Sequence, residues 1–422
     1  MNRIVKIMSI LLLSSFFWLS YQVPFVQAQV KEVVIGGVFP LSGPLAPIGK
    51  HMKDAIEVAV MDINQAGGIK SLGGAKVKVI FGDSTGDPKV GVTEIEKLII
   101  KDRVSAVIGA YQSGVTLPMG TVAERYGIPF YATGSDEQIT ARGYKYTFRS
   151  NEISTWYTRD NVNFAVEIGK KFGNPINTAA LVWENTSWGQ GAHKYFLQNC
   201  ERVGIKVVMD ESYPHTISDM TPIVTKIKAA KPDAILVIQY LSDAILFVNT
   251  LAEMEVDVKA LIARGGGYSD KDFIPGIGKN CEYIFDSSRW EPDFPRPGSK
   301  EIMERFLKYS GAPMLDPEEM KHYSYTWVLA EGINKAASTD PKKIRDALAT
   351  LRIKAPHPAI RFAEDELYFD ATGQAFKGDL SFVQFREING KMQRVTVWPE
   401  KMATQGIKPV FPVPKWSERK KK

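Results

Sequence analysis

The chain has 422 residues, of which 44% are hydrophobic, 24% charged and 11% aromatic, a composition that excludes the disordered, collagen-like and disulfide-scaffold classes. Its length exceeds what one hydrophobic core usually supports, roughly 250–300 residues, so two lobes are expected. The net charge of +6 sits at the ends, in Arg3 and Lys6 and in a tail from Lys415 to Lys422 with five positive charges and one negative; the neutral body lacks the basic stripe of a nucleic-acid surface.

The chain opens with a cationic stretch, Asn2 to Lys6, then an apolar run over residues 7–19 and the small-residue site Val26-Gln27-Ala28. That pattern reads as a secretory signal peptide over residues 1–28, and its apolar run is shorter than the roughly 20 residues needed to cross a bilayer. The expected mature chain is periplasmic, with no membrane insertion. The only cysteines, Cys200 and Cys281, lie far from the cleavage site, so no lipid anchor is expected. In an oxidising compartment they either pair or stay as two separately buried thiols.

Residues 33–39, 77–82, 106–109 and 129–131 read as strands, apolar throughout in the manner of parallel strands covered on both faces. Between the first two, Met52, Ala55, Ile56, Ala59, Val60 and Ile63 share one 3.6-period face, and Gly67-Gly68 supplies a stop. The rhythm restarts after Arg149: helix 155–172, strand 178–183, helix 189–203, strand 206–213, helix 220–230, strand 234–238. Two successive arrays imply two doubly wound α/β lobes. Residues 299–351 read as mostly helical with Pro341 at a helix start, residues 382–386 and 394–398 as strands, and 409–414 as a surface strap.

Enzyme signatures are poor. The five histidines, His51, His193, His215, His322 and His357, are far apart and lack a second metal-type ligand at helical or zinc-finger spacing, so no metal is expected. No phosphate loop, nucleophile elbow or dinucleotide fingerprint occurs, and no cofactor is implied. Gly265-Gly266-Gly267 reads as a flexible turn in preference to a ligand-contact loop.

Open α/β sheets bind ligands at the carboxyl ends of their strands. There, three segments carry a resemblance: IGGVFPLSGPLAPIGKHMKDAIEVAVMDINQAGGI, DSTGDPKVGVTEIEKLI, and VSAVIGAYQSGVTLPMGTVAERYGIPFYATGSDEQITARGYKYTFR. In this order they resemble the periplasmic branched-chain amino-acid-binding proteins of ABC importers, closely over residues 35–149, more loosely to about 286 and weakly thereafter. The resemblance implies the type I periplasmic-binding fold, two lobes joined by three crossovers, with lobe one at 29–150 and 288–379 and lobe two at 151–287 and 380–422. It also implies a monomer that binds a small-molecule solute in the interlobe cleft and delivers it to an inner-membrane ABC permease, without catalysis.

By the same resemblance, Ser113 and Ser135 hydrogen-bond the solute carboxylate, and the Thr133 carbonyl accepts from its ammonium. Hydroxyls suit a desolvated carboxylate because they donate without adding a buried charge. Trp188 and Tyr240, with Tyr111 as a lesser candidate, stand where the family covers the solute side chain with aromatics. One departure bears on the solute: many relatives place a glutamate for the ammonium where this chain reads Ala263-Arg264-Gly265-Gly266-Gly267-Tyr268. Either Asp270 or a distant acid replaces it, or the solute lacks an ammonium. Arg264 either pairs with a second solute carboxylate or is a surface arginine. The alternatives to an amino-acid receptor are a receptor for an aromatic or aliphatic acid, or a soluble sensor domain of the same fold.

Overall fold

The computed structural model describes residues 30–419 except 295, 313, 363 and 376–378; the leader reading of residues 1–28 lies outside them. The first sheet contains β1 (Glu32–Phe39), β2 (Lys76–Asp83), β3 (Ala106–Gly109), β4 (Phe130–Ala132) and β5 (Thr147–Phe148), in the order β2-β1-β3-β4-β5. All its pairs are parallel, with Glu32 opposite Lys76 and Phe39 opposite Asp83. Ile35, Ile108 and Tyr131 enter one buried cluster, whereas Val38, Val107 and Phe130 enter another. Alternate residues thus serve opposite covered faces, which is why these strands read as continuously apolar.

Three helices carry the chain between these strands: α1 (Ala46–Gln65), α2 (Pro88–Ile100) and α3 (Ser113–Tyr126), followed by the short α4 (Gln138–Ala141). Helix α1 buries Met52, Ala55, Ile56, Ala59 and Ile63, while Val60 is half-buried. Gly67 and Gly68, at φ of 106° and 68°, follow it, a conformation that favours glycine and ends the helix.

The second array runs α5 (Ser154–Lys171), β6 (Thr178–Glu184), α6 (Ser187–Val203), β7 (Lys206–Tyr213), α7 (Thr221–Ala230), β8 (Ala234–Ile238), α8 (Leu241–Glu253), β9 (Ala260–Arg264), α9 (Phe273–Ile277) and β10 (Phe285–Ser288). The chain then returns: α10 (Ser299–Ser310) and α11 (Pro317–Ala336) pack on α1, and α12 (Pro341–Ala349) packs on α11. After the small antiparallel pair β11 (Arg352–Lys354) and β12 (Glu366–Tyr368), β13 (Ser381–Ile388) and β14 (Lys391–Trp398) complete a second sheet, ordered β14-β13-β10-β9-β8-β6-β7. β13 joins antiparallel to β10 and turns into β14 through Asn389-Gly390, both at positive φ, a pair suited to a two-residue type I′ hairpin. The chain therefore passes between the sheets after β5, after β10 and before β13.

Helix α11 gives no amphipathic signal because it has no solvent face over most of its length. Pro317 through Ala330 are all buried, charged residues included. Asp316 accepts from the Glu319 N–H while the Glu319 carboxylate accepts from the Asp316 N–H, a capping box that fixes where the helix starts. The strap over 409–414 is less superficial than expected, since Phe411 and Val413 are buried and Gln384 hydrogen-bonds the Val410 backbone. The cysteine pairing does not form: Cys200 and Cys281 are free, buried, and belong to separate clusters. Burial pushes both thiols up to about 12.

Candidate functional site

Loops at the carboxyl ends of β3, β4, β6, β8 and β9 meet the start of α11 at the interlobe cleft. They enclose a pocket lined by Tyr111, Ser113, Thr133, Ser135, Asn151, Trp188, Tyr240, Arg264, Gly266, Glu318 and Lys321. All seven residues singled out from the sequence are brought together there; Asn151, Gly266, Glu318 and Lys321 were not anticipated as lining residues. The enclosed space is about 30 Å³, on the order of a water or two, so entry of a solute requires the lobes to part. Across the cleft, a Cβ on Gly114 at the start of α3 would lie 3.5 Å from Ser187 Oγ at the start of α6.

Ser113 is the first residue of α3, where backbone N–H groups lack helical acceptors and favour an anion. Its Oγ accepts the N–H groups of Ser135 and Asp136, each at 3.1 Å. With both acceptor positions used, its hydroxyl proton is left to donate. Ser135 Oγ accepts from Asn151 Nδ2 at 2.9 Å, and the same amide donates to the Thr133 carbonyl at 2.8 Å. Thr133 Oγ1 accepts the N–H of Tyr111 at 2.8 Å, holding Tyr111 at a φ of 75°, a strained value for a residue with a side chain. The Thr133 carbonyl anticipated for an ammonium thus already has an internal donor, leaving one lone pair.

The aromatic wall comes from both lobes. Tyr240 lies 5.0 Å from Trp188 and 6.0 Å from Tyr111 between ring centres, at tilts of 51° and 56°. The glycine run is not a flexible turn. A Cβ on Gly266 would meet Trp188 at 2.5 Å and the Gln239 carbonyl at 2.6 Å, and one on Gly267 would meet the Tyr240 carbonyl at 2.3 Å. These glycines let the backbone after β9 press against the aromatic wall.

The opposite wall is ionised. Arg264 is buried, not on the surface: it pairs with Glu152 and stacks over Tyr157, its Cζ 4.4 Å from the ring centre. Its carboxylate partner is therefore internal to the protein, on the first crossover. Lys321 Nζ donates to Glu152 at 2.9 Å and to Glu318 at 2.7 Å. Burial opposes the charge on Glu152, yet Lys321, Arg264 and Arg289 together hold its carboxyl well below the usual range. Asp270 does not line the pocket; it lies beside His51 and Asp316. The sequence offered no signal for Glu318 or Lys321, because a buried helix start far along the chain has no local mark of ligand contact. A larger recess of about 570 Å³ lies beside α5 and β14, lined in part by Arg159, Phe164 and Trp398.

Residues 32–387 match the periplasmic binding protein family. The chain belongs to that family. It is thus a solute-binding protein of the branched-chain amino-acid type of fold, a receptor and not an enzyme. A relative named Leu/Ile/Val-binding protein homolog 7, from Brucella suis biovar 1 (strain 1330), is 28% identical over 389 residues, covering 89% of this chain and 94% of the relative. Among solved structures, the branched-chain amino acid transporter substrate-binding protein LivJ from Streptococcus pneumoniae, in complex with isoleucine, aligns with a TM-score of 0.73 at 21% identity, covering 87% of this chain and 100% of that one. A solute-binding protein of an ABC transporter from R. palustris, in complex with 4-hydroxybenzoate, aligns with a TM-score of 0.75 at 19% identity, covering 87% and 96%. These likenesses establish the two-lobe type I periplasmic-binding fold.

Proposed function

We infer that this periplasmic binding protein captures a small carboxylate-bearing solute, a branched-chain amino acid or a close relative of one, between its lobes and delivers it to an inner-membrane permease of an ABC importer. In this reading the protein is an exported monomer, with lobe one at 29–150 and 288–379 and lobe two at 151–287 and 380–422. The observation that carries it is Ser113, whose Oγ accepts two backbone N–H groups and keeps its own proton to give, with the Ser135 hydroxyl beside it. Trp188, Tyr240 and Tyr111 cover the solute side chain, and Glu318 supplies the acid that the stretch from Arg264 to Tyr268 lacks. The names of the Brucella relative and of LivJ with isoleucine support this reading.

A second reading has its own support. Asn151 already occupies the Thr133 carbonyl, and Arg264 and Lys321 place two cations at the pocket, both adverse to an ammonium; the R. palustris protein is named with 4-hydroxybenzoate. Thermal unfolding of the mature chain against leucine, isoleucine, valine, their des-amino acids and aromatic carboxylates separates the two. A solute at ~100 times its dissociation constant stabilises by roughly 2.7 kcal/mol, a shift of about 2 °C or more for a chain this long. Shifts with the amino acids support the first reading; shifts only with carboxylates lacking the amine replace it with the second.

A further inference from the structure

A second group of ionisable side chains bridges the lobes outside the solute pocket. Lys271, in the segment after β9, reaches into a socket on the first lobe: its Nζ bonds Glu319 Oε1, its backbone N–H lies 3.4 Å from Asp316 Oδ2, and its Nζ sits 5.5 Å from the centre of the Phe306 ring. His51 of α1 stands between the lobes, with Nδ1 3.9 Å from Asp270 Oδ1 and 3.9 Å from Asp316 Oδ2, and Nε2 3.7 Å from Asp272 Oδ2. Among the described residues, His51 Nδ1 is buried without a hydrogen-bond partner.

The charges do not balance. Asp270, Asp316 and Glu319 are buried, and the buried cation set among them is Lys271. The remaining charged neighbours do not correct this: Asp272 is half-exposed, Glu318 beside Asp316 is already paired with Lys321, and Asp54 on α1 feels Glu57, Lys271, Lys53 and Lys50. The Tyr111 phenol faces Glu318, Asp270 and Asp316 and is held neutral by burial. An uncompensated carboxylate out of water is costly, and a proton removes that cost. Burial, and then the Asp316 charge, push Asp270 up to about 8. Burial also raises Asp316 and Glu319, whereas burial and then Lys271 hold His51 down to about 3. Asp316 and Glu319 share one helix start whatever the lobes do, but Asp270 belongs to the other lobe, and only closure sets it against them.

We propose that the two lobes take up a proton as they close, held by Asp270 against Asp316. The proton is a ligand of the closed form independent of the solute, so the proposal stands or falls apart from the solute's identity. The sign follows from the two directions. Asp270, an ordinary carboxylate near 3.9 once the lobes separate, favours closure as pH falls through about 8. His51, neutral in the closed form, favours opening as pH falls below its ordinary value of roughly 6.5. The two effects cancel near roughly pH 5.5.

The test uses protons alone, with no solute added. Nitroxide labels at Ser42→Cys and Ser218→Cys, exposed positions on the loops after β1 and after β7, one on each lobe, report the interlobe distance from pH 5 to 9 by pulsed electron spin resonance. The closed-to-open ratio is expected to rise about tenfold in all between pH 8 and pH 6, because His51 offsets part of the Asp270 effect below pH 7, then level off. Asp270→Asn flattens the profile, and His51→Gln lets the rise continue below pH 5.5. A distance distribution unchanged between pH 6 and pH 8, or an Asp270→Asn profile as steep as the parent's, overturns the proposal.

Discussion

Around one pocket, the corner made by Ser113, Ser135 and Asn151 is uncharged and anchored to backbone, whereas the wall made by Glu152, Lys321, Arg264 and Glu318 is ionised and anchored by side chains reaching in from both lobes. The neutral corner is complete within the first lobe and its crossover and offers a donor with no counter-charge to displace. The ionised wall is assembled only when α11, the first crossover and β9 come together, so its order depends on lobe placement. In the proposed reading, a carboxylate finds a ready site in the first, while the second sorts what the rest of the solute carries.

The sharpest way to break this contrast is Glu152→Gln. Removing one member of a buried ion cluster typically costs about 3–5 kcal/mol, and here it leaves Arg264 without its carboxylate, while Lys321 keeps Glu318; chemical denaturation should show the loss at pH 7. Since the native Glu152 carboxyl is held below its ordinary range, its stabilisation is present above the ordinary value and fades as pH falls through the lowered one, so parent and variant converge in acid. A parent-like midpoint at pH 7 would remove the structural role given to the ionised wall. Next in size, Ser113→Ala and Ser135→Ala should each weaken solute binding by about 1.5–3 kcal/mol in calorimetry, with a smaller loss in unfolding, since Ser113→Ala leaves the N–H groups of Ser135 and Asp136 without their acceptor. Unchanged affinity in the double variant would remove the carboxylate assignment. Smallest and most selective, Glu318→Gln is expected to weaken an amino acid about tenfold, ~1.4 kcal/mol, relative to its des-amino counterpart; equal loss for both would show that Glu318 does not read the amine.

The same contrast explains what the sequence made legible. The neutral corner lies in the stretch that most resembles the family, and it was through that resemblance that Ser113, Thr133 and Ser135 were placed; residue type alone would have read each as a turn or helix cap. Strands 106–109 and 234–238 were readable to the residue because their apolar runs end at turns, and the bounds of 206–213 matched as well. The ionised wall is non-local: Glu152 and Lys321 are 169 positions apart, and the neighbours of Lys321 along the chain look like any polar helix. Arg264 and the glycine run show the same limit, since whether an arginine at a strand end is exposed, or a triple glycine flexible, is decided by what packs against it. Here that is Glu152 for the arginine, and Trp188 and Tyr240 for the glycines. The hairpin at Asn389-Gly390, by contrast, carried a plain local signal in its dipeptide.

The two cysteines occupy opposite faces of the second sheet: Cys200 shares a cluster with Ala179 and Leu181 of β6, and Cys281 with Ala180 and Val182 of the same strand. Neither thiol is ionised enough at neutral pH to attack a disulfide reagent from its buried site, so each reacts only when its own face loosens. The pair therefore works as two built-in clocks for one sheet: separate modification rates would time the fraying of its two helical coats, whereas a single shared rate would mean that the sheet gives up both coats in one cooperative event.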